Sequence, residues 1–200
     1  MRDVASEMYR FGWMLGTGGN ISTLISREPF LLQISSSGVQ KGNMKLTDFI
    51  TVDENGKVIS GHMKPSAETL LHIAILKATG SKAVIHTHSV NSTILSEVYG
   101  ETGKISISGY EMLKALKGNK SHENTEVIPV LGNSQDMPSL YEIVLQRLNR
   151  DDGIHGFLLK GHGLYTWGMN VYEAKTHTEG IEFLLDLLYK KILLSGREKI

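Results

Sequence analysis

His86-Thr87-His88 is the segment of this sequence whose side chains are spaced for metal chemistry. In an extended strand alternate residues share a face, so both imidazoles point the same way, a few ångströms apart. Two such nitrogens can clamp one divalent ion, and a third ligand would make a three-histidine site of the catalytic zinc kind. His162, in Lys160-Gly161-His162-Gly163, is the candidate third ligand, because it too follows an apolar strand. Strand ends are where layered α/β folds place their sites, and flanking glycines let the backbone approach an ion. An isolated His-x-His is as well explained by two polar residues at a strand exit, and the second strand-end histidine weighs against that reading. His62, His72, His122, His155 and His177 have no partner at ligand spacing and read as surface or packing residues.

Three loops are built to hold an anion. Thr17-Gly18-Gly19-Asn20-Ile21-Ser22 sets two glycines beside hydroxyl and amide side chains, and Ser35-Ser36-Ser37-Gly38 does the same after a strand. Lys64-Pro65-Ser66 is expected at a helix start, where free N–H groups and the helix dipole favour a phosphate. Asn20, Ser37, Gly38 and Ser66 are the candidate contacts. Each loop alone is ordinary turn and cap chemistry; three of them beside a metal candidate describe a site for a small sugar phosphate. Two carboxylates remain for proton transfer: Glu68, expected in the first turn of the helix after Ser66, and Glu111, after a strand end. By spacing alone Glu68 is better explained as a first-turn acid satisfying the helix dipole, and Glu111 as a solvated helix residue.

The elements that must carry these residues are legible in the periodicity. Val4, Met8, Phe11 and Leu15 recur at helical spacing up to Gly16. Strands are expected at Phe30 to Ser35, at Phe49 to Asp53 with Val58-Ile59 as hairpin partner, and at Lys82 to Thr87, the last buried on both faces. Further strands are expected at Ile105 to Ser108, Glu126 to Val130, Phe157 to Lys160 and Leu164 to Trp167. Helices fall at Pro65 to Ala78, Val90 to Glu97, Tyr110 to Leu116, Pro138 to Leu148 and Val171 to Leu194. The last carries the apolar stripe Ile181, Leu184, Leu185, Leu188 and Ile192. A sheet with covering helices is an α/β layered fold, read here as one domain over residues 1–200.

Composition narrows the function. Lysine plus arginine equals aspartate plus glutamate at 21 each, so no net field recruits nucleic acid or anionic lipid, and neither partner is expected. The absence of cysteine excludes disulfides, thiolate metal sites and a cysteine nucleophile. With no apolar signal core after Met1 and no long apolar run, a cytoplasmic protein is expected.

Taken in order, Thr17-Gly-Gly-Asn-Ile-Ser22, Ser36-Ser-Gly38, Lys64-Pro-Ser-Ala-Glu68, His86-Thr-His-Ser89 and Gly161-His-Gly-Leu164 resemble the motif series of the class II aldolase and adducin family. The resemblance runs from Gly16 to the last helix. Ile34-Ser-Ser-Ser-Gly-Val-Gln-Lys41, Tyr110-Glu-Met-Leu-Lys114 and Gly163-Leu-Tyr-Thr-Trp-Gly168 are most similar to the family's dehydratase branch. It implies a three-layer α/β/α subunit, Zn²⁺ on His86, His88 and His162, and a homotetramer with sites at subunit interfaces. The branch further implies dehydration of 5-methylthioribulose 1-phosphate to 5-methylthio-2,3-dioxopentyl phosphate in methionine salvage, with Glu111 as the acid/base residue. Glu68, at a position where branch relatives can carry cysteine, stays open between ligand, second acid/base group and substrate contact. The alternatives within the family are a sugar-phosphate aldolase or epimerase, and a non-catalytic adducin-like interaction module. The aldolases rely on a C-terminal tyrosine, whereas the last tyrosine here, Tyr189, is expected inside the final helix.

Overall fold

A computed structural model describes residues 1–150 and 153–196. The apolar run expected at its centre is β5 (Ala83–Thr87), all of whose residues are buried. It lies between β1 (Asn20–Arg27) and β9 (Gly163–Gly168). The other strands of this nine-stranded sheet are β2 (Phe30–Ser35), β3 (Phe49–Val52), β4 (Val58–Ser60), β6 (Lys104–Ile107), β7 (Glu126–Leu131) and β8 (Gly156–Leu159). The order is β4-β3-β2-β1-β5-β9-β8-β7-β6, antiparallel throughout except between β7 and β8. Strands buried on both faces are the usual mark of parallel sheets. Here the same burial arises because helices cover both faces of a mainly antiparallel one.

The alternation of side chains divides the core into layers. On one face Val84, Phe157, Tyr165 and Trp167 meet α2 (Thr69–Thr79) and α4 (Met137–Leu148). On the other, Ala83 and Ile85 meet α1 (Arg2–Arg10) and α5 (Val171–Leu194). Leu158 and Leu164 on that face meet α3 (Val90–Val98) and α5. The three-layer α/β/α arrangement implied by the resemblance is the one observed. Ile181, Leu184 and Leu185 of the expected stripe are buried, with Leu188 and Ile192 packed against them. At 24 residues, α5 is about 36 Å long and spans the sheet. Among the described residues no helix is long and apolar enough to cross a membrane.

Four boundaries depart from the sequence reading, each for a local reason. Helix α1 stops at Arg10, because Gly12 takes φ +79°, and Phe11 and Leu15 are left exposed. Asn20, Ile21 and Ser22 are not loop residues but the start of β1, drawn into the sheet by pairing with β5. Helix α2 begins at Thr69, three residues after Ser66. A turn in which Thr69 N and Oγ1 both donate to the Ser66 carbonyl precedes it, leaving Glu68 as the N-cap. Tyr110 to Leu116 is a 3₁₀ turn over Glu111–Ala115, too short for α-helix.

Candidate active site

The register of three neighbouring strands builds the floor of the site. Asn20 of β1 pairs with His86 of β5, which pairs in turn with Tyr165 of β9. The Tyr165 ring stacks on His86 with centroids 3.9 Å apart, and Phe157 stacks beneath Tyr165 at 5.0 Å. His86 is thereby held from below, while its Nδ1 donates to the Leu164 carbonyl at 3.0 Å. A carbonyl only accepts, so the proton resides on Nδ1 and Nε2 presents a lone pair.

His88 follows where the chain leaves β5 for α3. Its backbone N–H donates to the Trp13 carbonyl at 2.7 Å, and Ser89 caps the helix by accepting from Ser92 N. Glycine is required on both sides of this turn. A Cβ on Gly18 would lie 2.8 Å from His88 Nδ1, and one on Gly163 only 2.0 Å from the Thr87 carbonyl oxygen. His162 sits in the tight turn between β8 and β9, where Gly161 takes φ +65°. Helix α3 pins that turn: Thr93 Oγ1 donates to the His162 carbonyl, and Gly161 N donates to Ser96 Oγ.

These constraints converge the three imidazoles, and α2 delivers a fourth group. His88 Nε2 lies 2.7 Å from His86 Nε2, His162 Nε2 lies 3.3 Å from His86 Nε2, and Glu68 Oε1 is 2.9 Å from His162 Nε2. Glu68, His86, His88 and His162 offer ligand atoms all within 4.8 Å of one another. Two imidazole nitrogens facing at 2.7 Å, one of them a lone pair, need a proton or a cation between them. The donor set therefore fits a divalent metal: three borderline-soft nitrogens and one hard oxygen, with an outer hydrogen bond orienting His86. Burial first, then the charges of His86 and His162, push His88 down to about 3, so its ring is neutral at ordinary pH. Burial works against the charge on Glu68. Its histidine neighbours outweigh that and hold the carboxyl well below the usual carboxylate range.

The anion loops adjoin this cluster. Asn20 Nδ2 donates to Ser66 Oγ at 3.1 Å and to Glu68 Oε2 at 2.5 Å. Ser37 N donates to the Lys64 carbonyl at 3.0 Å, bringing the exposed Ser37-Gly38 turn beside Pro65-Ser66. Asn20 and Ser66 thus lie against Glu68, and the Ser37-Gly38 turn is tied to the loop that carries Ser66. Glu111 is not part of this cluster. Its side chain is 70% exposed and paired with Lys114 at 2.5 Å and His122 at 3.2 Å. The Lys114 hydrogen bond holds its carboxyl below the usual value, whereas a general base working near neutral pH is favoured by a raised one. The far end of its segment is pinned from inside. Buried His155, ion-paired with Glu126 at 3.0 Å, donates from Nε2 to the Lys117 carbonyl at 2.7 Å.

Two residues beside the cluster escaped the sequence reading. Tyr165 is fully buried, and burial together with the Glu68 charge keeps its phenol protonated. Glu182 lies inside the apolar stripe of α5, and a carboxylate in such a stripe was the available signal. Its oxygens accept from Thr87 Oγ1 at 2.8 Å and Ser89 Oγ at 2.5 Å, the two residues flanking His88. Burial pushes Glu182 up to about 7 against both hydroxyl hydrogen bonds. An acid with a raised folded-state value keeps its proton while the unfolded chain ionises, so stability falls as pH rises from 4.5 to about 7. In urea titrations across that window, Glu182→Gln should remove a loss of about 3 kcal/mol. An identical pH slope in the variant would refute the assignment.

A family model described as the class II aldolase and adducin N-terminal domain matches residues 1–189. Methylthioribulose-1-phosphate dehydratase of Yersinia enterocolitica is 39% identical over 190 residues, covering 94% of this chain and 89% of that protein. The protein of the same name from Sulfurihydrogenibium sp. is 36% identical, covering 100% of this chain and 92% of its own length. The structure of L-fuculose-1-phosphate aldolase from Thermus thermophilus superposes with a TM-score of 0.77 at 23% identity, over 98% of this chain and 95% of that one, a likeness of fold. The matches run from the first helix through the histidine cluster into the last helix. The chain belongs to the class II aldolase and adducin family.

Proposed function

We propose that this chain is a hydro-lyase that removes water from methylthioribulose 1-phosphate to give the corresponding 2,3-diketone phosphate. One observation carries the reading. Three imidazole nitrogens and a carboxylate converge within 4.8 Å beside the gathered anion loops, in a chain 39% identical to a dehydratase named for that substrate. The ion proposed for His86, His88, His162 and Glu68 is zinc. When bound, it would supply Lewis acidity to the ketone and the neighbouring hydroxyl oxygen, making the C3 proton more acidic.

The residues have separate tasks. Asn20, Ser37, Gly38 and Ser66 hold the phosphate and so fix the carbon chain over the histidine face. The C3 proton is removed, the C4 hydroxyl leaves as water, and the enol formed tautomerises to the diketone. Glu111 is assigned the proton transfers. Because it stands outside the cluster within one chain, this assignment calls for a second copy to carry it over the histidine face, and the proposed assembly is a homo-oligomer. Glu68, held ionised, serves as ligand rather than as proton donor.

Incubating the zinc-loaded protein with methylthioribulose 1-phosphate and, separately, with fuculose 1-phosphate tests the reaction. Diketone from the first and no dihydroxyacetone phosphate from the second is the expected result; the reverse pattern makes the chain an aldolase. The unphosphorylated methylthioribulose should show a kcat/KM lower by on the order of 10²-fold or more, since remote binding energy orients the reacting carbons. Equal kcat/KM for the sugar and its phosphate would remove the anion cradle.

A further inference from the structure

Lys41 opens a 3₁₀ turn (Lys41–Asn43) and is enclosed almost completely, with 1% of its surface exposed. Burying a lysine is costly, because an ammonium loses its hydration unless something replaces it. The replacement here is partial. Lys41 Nζ donates to the Thr17 carbonyl at 2.9 Å and the Val39 carbonyl at 2.8 Å. An ammonium has three N–H groups, and among the described residues only these two neutral oxygens receive them. Burial accordingly pushes Lys41 down to about 8, which the more distant charge of Glu68 only partly offsets.

The two carbonyls identify where the charge stands. Thr17 leads into Gly18-Gly19-Asn20, and Val39 follows Ser36-Ser37-Gly38, so the ammonium bridges the two loops at the anion cradle. In the second loop Ser36 Oγ is also buried without a partner. Joining the loops needs no charge, because a neutral amide would satisfy the same carbonyls without the cost of a buried cation. An anion arriving between the loops would offer an acceptor to the third N–H.

We propose that Lys41 is a phosphate-binding residue, which makes the phosphate subsite a charged pocket closed by one buried ammonium rather than a neutral cradle of hydroxyls and backbone N–H groups. The inference rests on the proposed function only in taking a phosphate ester as the ligand. It also gives the chain a means of selecting dianionic esters, because a buried charge discriminates by charge far more strongly than a hydroxyl does.

The test uses the metal-loaded full chain, with glycerol 3-phosphate as probe and glycerol as the unphosphorylated control. Lys41→Met should bind the phosphate ester on the order of 10- to 100-fold more weakly, the loss expected for one charge-assisted hydrogen bond. Metal content and far-UV circular dichroism should stay unchanged. In wild-type protein labelled with ¹⁵N-lysine, the ammonium signal absent from Lys41→Met should shift as the ester is titrated, with the same Kd. A residue that only joins two loops would not show that shift. Undiminished ester affinity in a folded, metal-loaded Lys41→Met overturns the proposal. So does a Lys41 signal that stays still while the ester binds, a reading that needs no variant to fold beyond assigning the peak. None of these measurements requires turnover. A chain that binds the ester through Lys41 yet makes no diketone loses the reaction and keeps the subsite, and a working dehydratase indifferent to Lys41 does the reverse.

Discussion

His88→Ala is expected to release the metal and abolish turnover together, while the far-UV circular dichroism stays close to native. Wild-type protein should hold about one equivalent of divalent metal per chain, the count for a single mononuclear site. His88 contributes one of three nitrogens and approaches His86 Nε2 to 2.7 Å, so its loss removes a direct donor. Changing an outer residue that merely orients a ligand typically costs 10- to 100-fold in affinity; losing the ligand itself should exceed about 10²-fold. The fold should survive because His88 lies where the chain leaves the sheet, only partly buried. Of the two backbones that pack on its ring, Gly163 is fixed in β9 and Gly18 by its N–H donating to the Leu15 carbonyl. Metal analysis after dialysis decides the matter. Full occupancy in a folded His88→Ala would show that the imidazole is not a ligand.

The second large effect concerns Glu111. Glu111→Gln preserves shape and hydrogen bonding but cannot accept a proton, and kcat should fall by on the order of 10² to 10⁴. Metal content should not change, because Glu111 is absent from the four-residue cluster. KM should move little, since the group acts mainly in the transition state. Glu68→Gln is the contrasting variant, and its first deficit should be metal affinity. Near-wild-type turnover in Glu111→Gln would end the assignment while leaving the metal site standing. If the rate loss appears in Glu68→Gln instead, at full metal occupancy, Glu68 is the base. Should a second copy bring Glu111 to the histidines, mixing Glu111→Gln with His88→Ala protein should raise activity above that of either variant.

How far the sequence could be read depended on the range of the interactions. His86 and His88 were legible because strand alternation is local, and His162 because a turn between two apolar strands is local too. Glu68 could not be assigned, since its place in the cluster depends on where α2 begins relative to β5. A turn at Ser66 moves that start from the expected Pro65 to Thr69. Asn20 read as a loop residue because its neighbours Gly18 and Gly19 dominate the local signal; only pairing with β5 makes it a strand. Lys41 and Tyr165 lay within quoted runs without a role, since burial of a lysine or stacking under a histidine is a property of the assembled layers. Glu111 shows the opposite limit. Its segment was recognised, yet within one chain the carboxylate stands in solvent.

The position of β5 has a consequence for how the molecule comes into being. Its two neighbours lie far apart in the chain, β1 well upstream and β9 well downstream. During synthesis β5 can pair with β1 early, but its other edge must wait until Gly168 has left the ribosome. For that interval an apolar strand presents an open edge, the state most prone to pair with the wrong chain. Closure then joins contacts distant in sequence, a slow topology for folding. His162 enters with the same late hairpin, so a nascent chain has no three-histidine centre with which to nucleate. Any ion held by these residues would be captured only after sheet closure, so an occupied site would report a closed sheet.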